Sequence, residues 1–278
     1  MRNLQLADGT SLPVLGQGTW MMGDAPRRRD EEIAALRAGI ERGMTLLDTA
    51  EIYGDGASET LVGEAIAGRR DEVFLVSKVA PSNASRAGTV AACEASLRRL
   101  GVERLDLYLL HWRGRHPLAE TLRGFDDLLA AGKIARWGVS NFDVDDMEEL
   151  FAIEGGERCA VNQILYHPGE RGVEFDLLPW LEGKGVAAMA YSPVGQGGTL
   201  LRDPALAAVG RRHGVSPAQV ALAFATRRAN VFAIPKAGTT AHVIENAAAA
   251  DLVLTAQDLA EIDAAFPPPR RKRPLSML

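Results

Sequence analysis

Apolar positions along this chain switch repeatedly between alternation and the three-and-four spacing of helices. Leu4 and Leu6 alternate with polar neighbours and Asp8-Gly9 is a strong turn signal, so the chain opens on a predicted β-hairpin. Val14–Gly18 then predicts a first core strand, with Thr19 and Trp20 at its end. In Asp30–Gly43, Ile33, Leu36, Arg37 and Ile40 share one side, acids fill the first turn and a glycine ends the run, which predicts a helix.

From there the two patterns alternate. Strands are predicted at Thr45–Asp48, Val73–Lys78, Leu105–His111, Arg136–Ser140, Ala160–Leu165, Val186–Ser192 and Val231–Pro235. Between and after them, helical spacing covers Ser58–Ala67, Ala87–Leu100, Leu118–Ala131, Val144–Phe151, Phe175–Leu181, Pro204–Arg212, Pro217–Arg228 and Ala241–Ala249. Ser216-Pro217-Ala218-Gln219 carries every mark of a helix start: a capping serine, proline at the first helical position and glutamine to complete a capping box. Thr255–Phe266 is a further helix, which Pro267-Pro268-Pro269 ends into a basic tail.

Eight predicted strands alternate with helices, and several are nearly continuous apolar runs, as expected when both faces of a sheet are covered. This predicts an α/β fold, a (β/α)8 TIM barrel with an N-terminal β-hairpin and extra C-terminal helices, built as one domain over residues 1–278. The alternative is an open doubly wound sheet. Its nucleotide fingerprint is missing, because Gly16-Gln17-Gly18 and Gly195-Gln196-Gly197 both lack the third glycine of GxGxxG.

Composition narrows the class. A net charge of −5 argues against nucleic acid as a partner, and 47% hydrophobic residues are ample for a core. Cys93 and Cys159 have no ligand spacing and read as buried thiols of a reducing compartment. No apolar run reaches membrane-spanning length and Met1–Thr10 lacks a signal-peptide pattern, so a cytoplasmic protein is expected, with no membrane partner. The histidines form no HExxH or other compact set, so no metal is expected, and no GxSxG supports a hydrolase.

Barrel strands present their C-terminal ends to the active-site mouth. Asp48, Lys78 and His111 end three consecutive predicted strands, and Tyr53 lies in the loop after the first. Singly, each has a structural explanation: a helix cap, a packed phenol, a lysine reaching for solvent, a core histidine. Together at one rim they suit carbonyl reduction. A lysine beside the phenol is expected to lower its pKa, an aspartate offsets the buried ammonium, and a histidine orients or polarises the carbonyl. None of the four is a hydride donor, so a cofactor is required.

LLDTAEIYG, VSKV, LDLYLLHW, WGVSNF, NQILYHP, AYSP and AIPKAGTTAHVIEN, in this order, resemble the motif series of the aldo-keto reductases, specifically of bacterial methylglyoxal-reducing members. The resemblance runs from Thr19-Trp20 to Asn246. It implies NADPH-dependent reduction of aldehydes and ketones, small dicarbonyls such as methylglyoxal foremost, by an enzyme that is often monomeric. By resemblance, Asp48, Tyr53, Lys78 and His111 form the catalytic tetrad with Tyr53 as proton donor. Ser140, Asn141 and Gln163 hold the nicotinamide carboxamide, Tyr191 stacks on the ring, and Ser192 and its following loop cover the pyrophosphate. Lys236 meets the adenosine 2′-phosphate, Glu245 and Asn246 lie near the adenine, and Thr19, Trp20 and Trp112 complete the cofactor and substrate walls. Related barrels also serve as channel-associated subunits, a reading against which the bacterial resemblance counts.

Two departures from the family pattern matter. Where NADPH-selective members carry serine or threonine after the lysine and arginine six residues past it, this chain has Ala237 and His242. Alanine loses a phosphate hydrogen bond and a neutral histidine lacks the charged fork of arginine, so weaker discrimination against NADH is expected, and NADH use is possible. The segment after Phe266 is short, so an open, permissive pocket is expected; whether the tail folds over the barrel is left undecided by the sequence.

Overall fold

The computed structural model describes residues 1–278. Strands β1 (Asn3–Gln5) and β2 (Ser11–Pro13) form the hairpin, with Leu4 opposite Leu12. Eight parallel strands follow in chain order around one sheet: β3 (Gln17–Gly18), β4 (Leu46–Asp48), β5 (Phe74–Val79), β6 (Leu107–Leu110), β7 (Trp137–Ser140), β8 (Val161–Leu165), β9 (Ala187–Tyr191) and β10 (Val231–Ala233). Parallel bridges Leu15–Ala233 and Gly18–Lys236 bring the last strand back to the first, and Gly16 N–H donates to the Ala233 carbonyl at 2.8 Å. The sheet therefore closes, as a (β/α)8 barrel requires. A β-carbon on Gly18 would stand 2.7 Å from the Ile234 carbonyl oxygen, so the seam needs a glycine there.

Helices α1 (Arg29–Ile40), α2 (Ala57–Ala65), α3 (Arg86–Leu100), α4 (Leu118–Ala130), α5 (Val144–Phe151) and α6 (Leu177–Lys184) connect successive strands. Both α7 (Pro204–His213) and α8 (Pro217–Ala225) fall between β9 and β10, and α9 (Thr240–Ala248) and α10 (Ala256–Ala265) complete the chain. The capping box expected at Ser216 and Gln219 is formed in full. No helix is long and apolar enough to cross a membrane. Cys93 and Cys159 are unpaired and buried, and burial pushes both thiols up to about 12.

The core has two parts. The larger fills the space between sheet and helices; the smaller lies inside the barrel, where Leu46, Val76, Leu107, Leu109, Val161, Met189 and Phe232 meet. Leu4, Leu6 and Leu12 belong to this inner cluster, so the hairpin plugs the barrel at the end where the strands begin. Side chains of a strand alternate between faces. Two positions beyond an inner Leu46, Val76, Leu109 or Val161 come Asp48, Lys78, His111 and Gln163. The candidate polar residues are thus the uppermost inward layer of a barrel whose lower layers are hydrocarbon.

The tail follows a defined course. Lys272 reaches three carboxylates in the segments that follow β7 and β8, two before helices and one in the first turn of α5: Asp176 at 3.3 Å, Asp143 at 3.5 Å and Asp145 at 3.8 Å. Leu275 packs against the larger core, and Met277 and Leu278 reach the barrel mouth. The Leu278 N–H faces the Tyr191 hydroxyl oxygen at 3.4 Å. The open pocket expected from a short tail is therefore corrected. The tail is long enough because attraction to those carboxylates leads it straight across the rim.

Candidate active site

A cavity of about 920 Å³ occupies the barrel mouth. Asp48, Tyr53 and His111 line it at one end, and Lys236, His242, Glu245 and Asn246 line it elsewhere along the wall. Thr19, Trp20, Trp112, Ser140, Asn141, Gln163, Tyr191 and Ser192 also contribute. Two of the expected residues do not reach the cavity wall: Lys78 lies fully buried beneath it, and Ala237 packs into the larger core.

Lys78 is a fully buried charge whose every donor is used. Its Nζ donates to Asp48 Oδ2 at 2.8 Å, to the Thr49 carbonyl at 2.9 Å and to Tyr53 Oη at 3.2 Å. An ammonium has three N–H groups and here each has an acceptor, which makes its burial tolerable. Asp48 accepts a second bond on its other oxygen, from Gln163 Nε2 at 2.8 Å. The Tyr53 oxygen accepts from Lys78, and no protein group accepts the Tyr53 proton. Tyr53 is positioned by a tight turn, Tyr53–Gly56, in which Gly54, Asp55 and Gly56 all have positive φ.

The electrostatics correct one expectation. Burial is the largest influence on Tyr53 and raises its pKa; the Lys78 charge pulls it down, the Asp48 charge pushes it up, and the phenol ends above its ordinary value. The expected lowering does not occur, because Lys78 is neutralised by Asp48 and the site is dry. Burial alone would lower the Lys78 pKa, but Asp48, and then Tyr53, outweigh it and hold the ammonium above the usual lysine value. Burial raises the Asp48 carboxyl, opposed by Lys78 and Gln163. His111 is driven down to about 2 by burial and by the Lys78 charge. It is a neutral imidazole at physiological pH, edge-on to Tyr53 with ring centroids 5.7 Å apart. Its Nδ1 is buried without a partner. A bare lone pair costs less there than a bare N–H, so the proton belongs on Nε2.

The wall beyond this end is pre-organised. Ser140 Oγ donates to the Gln163 carbonyl at 3.0 Å, Asn141 Nδ2 to the His111 carbonyl at 3.2 Å, and Tyr191 Oη to Asn141 Oδ1 at 3.0 Å. Gln163 Oε1 accepts no bond. Asn141 and Ser192, just past β7 and β9, have φ of 60° and 47°, a strain that clusters at working sites. These features fit a dinucleotide: an aromatic face at Tyr191, a free amide oxygen at Gln163, and a cation without an ion-pair partner at Lys236. Sequence reasoning missed Met21, Ile52, Met277 and Leu278, which add apolar surface to the rim. Only the tail's hydrophobic end hinted at any of them.

Comparisons with known proteins agree with this geometry. The profile of the aldo/keto reductase family matches residues 14–266. Methylglyoxal reductase YeaE of Escherichia coli is 50% identical, the alignment covering 99% of this chain and 98% of that protein. Glyoxal reductase of Bacillus subtilis is 34% identical over 94% of this chain and 91% of its own length. Among solved structures, an aldo-keto reductase from Klebsiella pneumoniae in complex with NADPH superposes with a TM-score of 0.98 at 47% identity, covering 100% of this chain and 99% of that one.

Proposed function

The chain belongs to the aldo/keto reductase family, and we propose that it reduces small carbonyl compounds, methylglyoxal foremost, to alcohols with NADPH. The observation that carries this reading is the uncommitted Tyr53 proton at the cavity wall, on an oxygen held from behind by the Lys78–Asp48 pair. The substrate class is supported by the names of the relatives at 50% and 34% identity, and the cofactor by the NADPH complex of the structural relative.

A bound reduced nicotinamide supplies the hydride, which none of the four side chains can. Gln163 Oε1 and the Ser140–Asn141 pair would hold its carboxamide, and Tyr191 its ring. As hydride reaches the carbonyl carbon, negative charge grows on the carbonyl oxygen. His111 Nε2 donates a hydrogen bond to that oxygen without carrying charge. Tyr53 transfers its proton there, forming the alcohol O–H, and the phenolate left behind faces the Lys78 ammonium. The raised phenol pKa serves this step, because Tyr53 keeps its proton until the alkoxide demands it. The two buried free thiols support a reducing, cytoplasmic setting, and we take the chain to act as a single-domain monomer.

The test is the fall in NADPH absorbance when the purified protein meets methylglyoxal, with Tyr53→Phe alongside. Wild type should turn over, and the variant should bind NADPH while losing roughly 10²–10⁴-fold in rate. Wild-type turnover by the variant would remove Tyr53 from its role; no turnover of methylglyoxal or a wider carbonyl panel by the wild type would remove the activity.

A further inference from the structure

His242 occupies the position where an arginine would grip a 2′-phosphate, yet the same corner of the molecule contains a guanidinium from elsewhere in the chain. Arg28 ends the short turn Pro26–Arg28 that leads into α1. Its Nη2 approaches the Gly238 carbonyl at 3.4 Å, across 210 residues of sequence. A β-carbon built on Gly238 would lie 2.7 Å from Arg28 Nη2 and 3.4 Å from Lys236 Nζ. Two cations thus converge on one backbone position, and the missing side chain of Gly238 makes room for them.

Only one member of the pair has carboxylate partners. Lys236 has no carboxylate partner and is exposed. Arg28 leans on Glu31 at 3.4 Å and Glu32 at 3.9 Å, both on the α1 side, and its side chain remains 39% exposed. Glu32 is itself fixed, since its other oxygen accepts the Gly23 N–H at 2.9 Å. Two carboxylates therefore hold the guanidinium from behind, and with five N–H donors it keeps some for a ligand in front. Like charges brought this close in one exposed corner repel one another, and a dianion between them would relieve that repulsion. Lys236 and the exposed His242 both line the cavity that begins at Tyr53, and Arg28 stands just outside that lining, meeting Lys236 at Gly238.

We propose that Arg28 is a cofactor-selecting residue. With Lys236 it clamps the phosphate monoester of the adenosine ribose, supplying from the start of α1 the charged fork that position 242 lacks. The inference rests on the NADPH reading above. It replaces the weak discrimination expected from Ala237 and His242 with firm selectivity for the phosphorylated cofactor. A phosphate dianion suits a guanidinium–ammonium pair because the fork can bond two oxygens while the lysine contributes a point charge.

Calorimetric titration with 2′,5′-ADP and with 5′-AMP tests this without turnover. Wild type should bind 2′,5′-ADP at least tenfold more tightly than 5′-AMP. Arg28→Gln should lose most of that margin while its 5′-AMP affinity stays within twofold, which also reports an intact fold. Adding His242→Arg to Arg28→Gln should restore it, because the fork returns from α9. Should the wild type discriminate and Arg28→Gln discriminate equally, Arg28 has no such role and Lys236 acts alone. An equal loss for both nucleotides would mean that Arg28 only shapes the fold. No preference in the wild type would overturn the clamp and the NADPH assignment together, while leaving carbonyl reduction to be read from turnover with NADH.

Discussion

Gln163 Nε2 donates to Asp48 Oδ1 at 2.8 Å, a hydrogen bond that crosses the barrel interior between β8 and β4. With three strands between them in either direction around the closed ring, these residues stand on opposite walls. The bond ties the amide proposed to hold the nicotinamide to the carboxylate that neutralises Lys78. Gln163→Leu leaves a buried carboxylate oxygen without a donor, at a cost of about 1–3 kcal/mol. Both the chemical-denaturation midpoint and NADPH affinity should fall. Gln163→Glu should do worse on both, because two carboxylates would then face each other in a dry site.

Lys78→Met keeps the volume of the side chain and removes its charge. Asp48 then loses its counterion at a fully buried position, which costs about 3–5 kcal/mol of stability. Activity should vanish as well, since the phenolate would form without a facing cation. In Asp48→Asn/Lys78→Met the destabilisation should shrink while activity stays absent. Urea unfolding of the single and double variants separates the two effects.

The pH dependence of stability has a defined sign at His111. Its folded pKa of about 2 lies below the ordinary 6.5, so the unfolded chain takes up the proton first as pH falls. The stability due to the neutral imidazole is complete above pH 6.5 and declines from there toward about 2, by at most about 1.4 kcal/mol per pH unit for this one group. Replacing His111 with Gln should flatten that part of the stability curve.

Activity should follow a different profile. Neutral His111 and a Tyr53 phenol above its ordinary pKa leave neither group titrating near neutrality. For reduction, kcat/KM should be level from pH 6 to 9 with no inflection near 6.5. An inflection there would assign proton transfer to another group.

Removal of Met277 and Leu278 should widen the mouth that they line. Rates with bulky aromatic aldehydes should rise relative to methylglyoxal, as a ratio of kcat/KM values. Lys272→Ala should move the ratio the same way by releasing the tail from Asp143, Asp145 and Asp176. High salt should weaken the difference between Lys272→Ala and wild type, because the contact is partly exposed.

The strand–helix alternation and the positions of Asp48, Lys78 and His111 were legible in the chain because barrel strands recur with a strict pattern, whereas Gln163 entered only through the resemblance to the aldo-keto reductases. An inner leucine or valine followed two residues later by a polar group marks the top layer whatever the rest of the chain does. Ser216 and Gln219 were legible for a similar reason, as their capping box is made within four residues.

What the sequence could not determine depends on distance. The net effect on Tyr53 needed the burial of the site and the charges of both Lys78 and Asp48, so reasoning from the lysine alone reversed the sign. The course of the tail depended on three carboxylates from two separate segments, those after β7 and after β8. Arg28 reads as one member of a surface run, Arg27-Arg28-Arg29, until closure of the ring brings α1 beside α9 and Gly238 lets its guanidinium approach Lys236. Local periodicity is written in neighbouring residues and survives as sequence. Electrostatics and convergence are sums over groups from 25 to 210 residues apart, and only the closed barrel brings those groups within reach of one another.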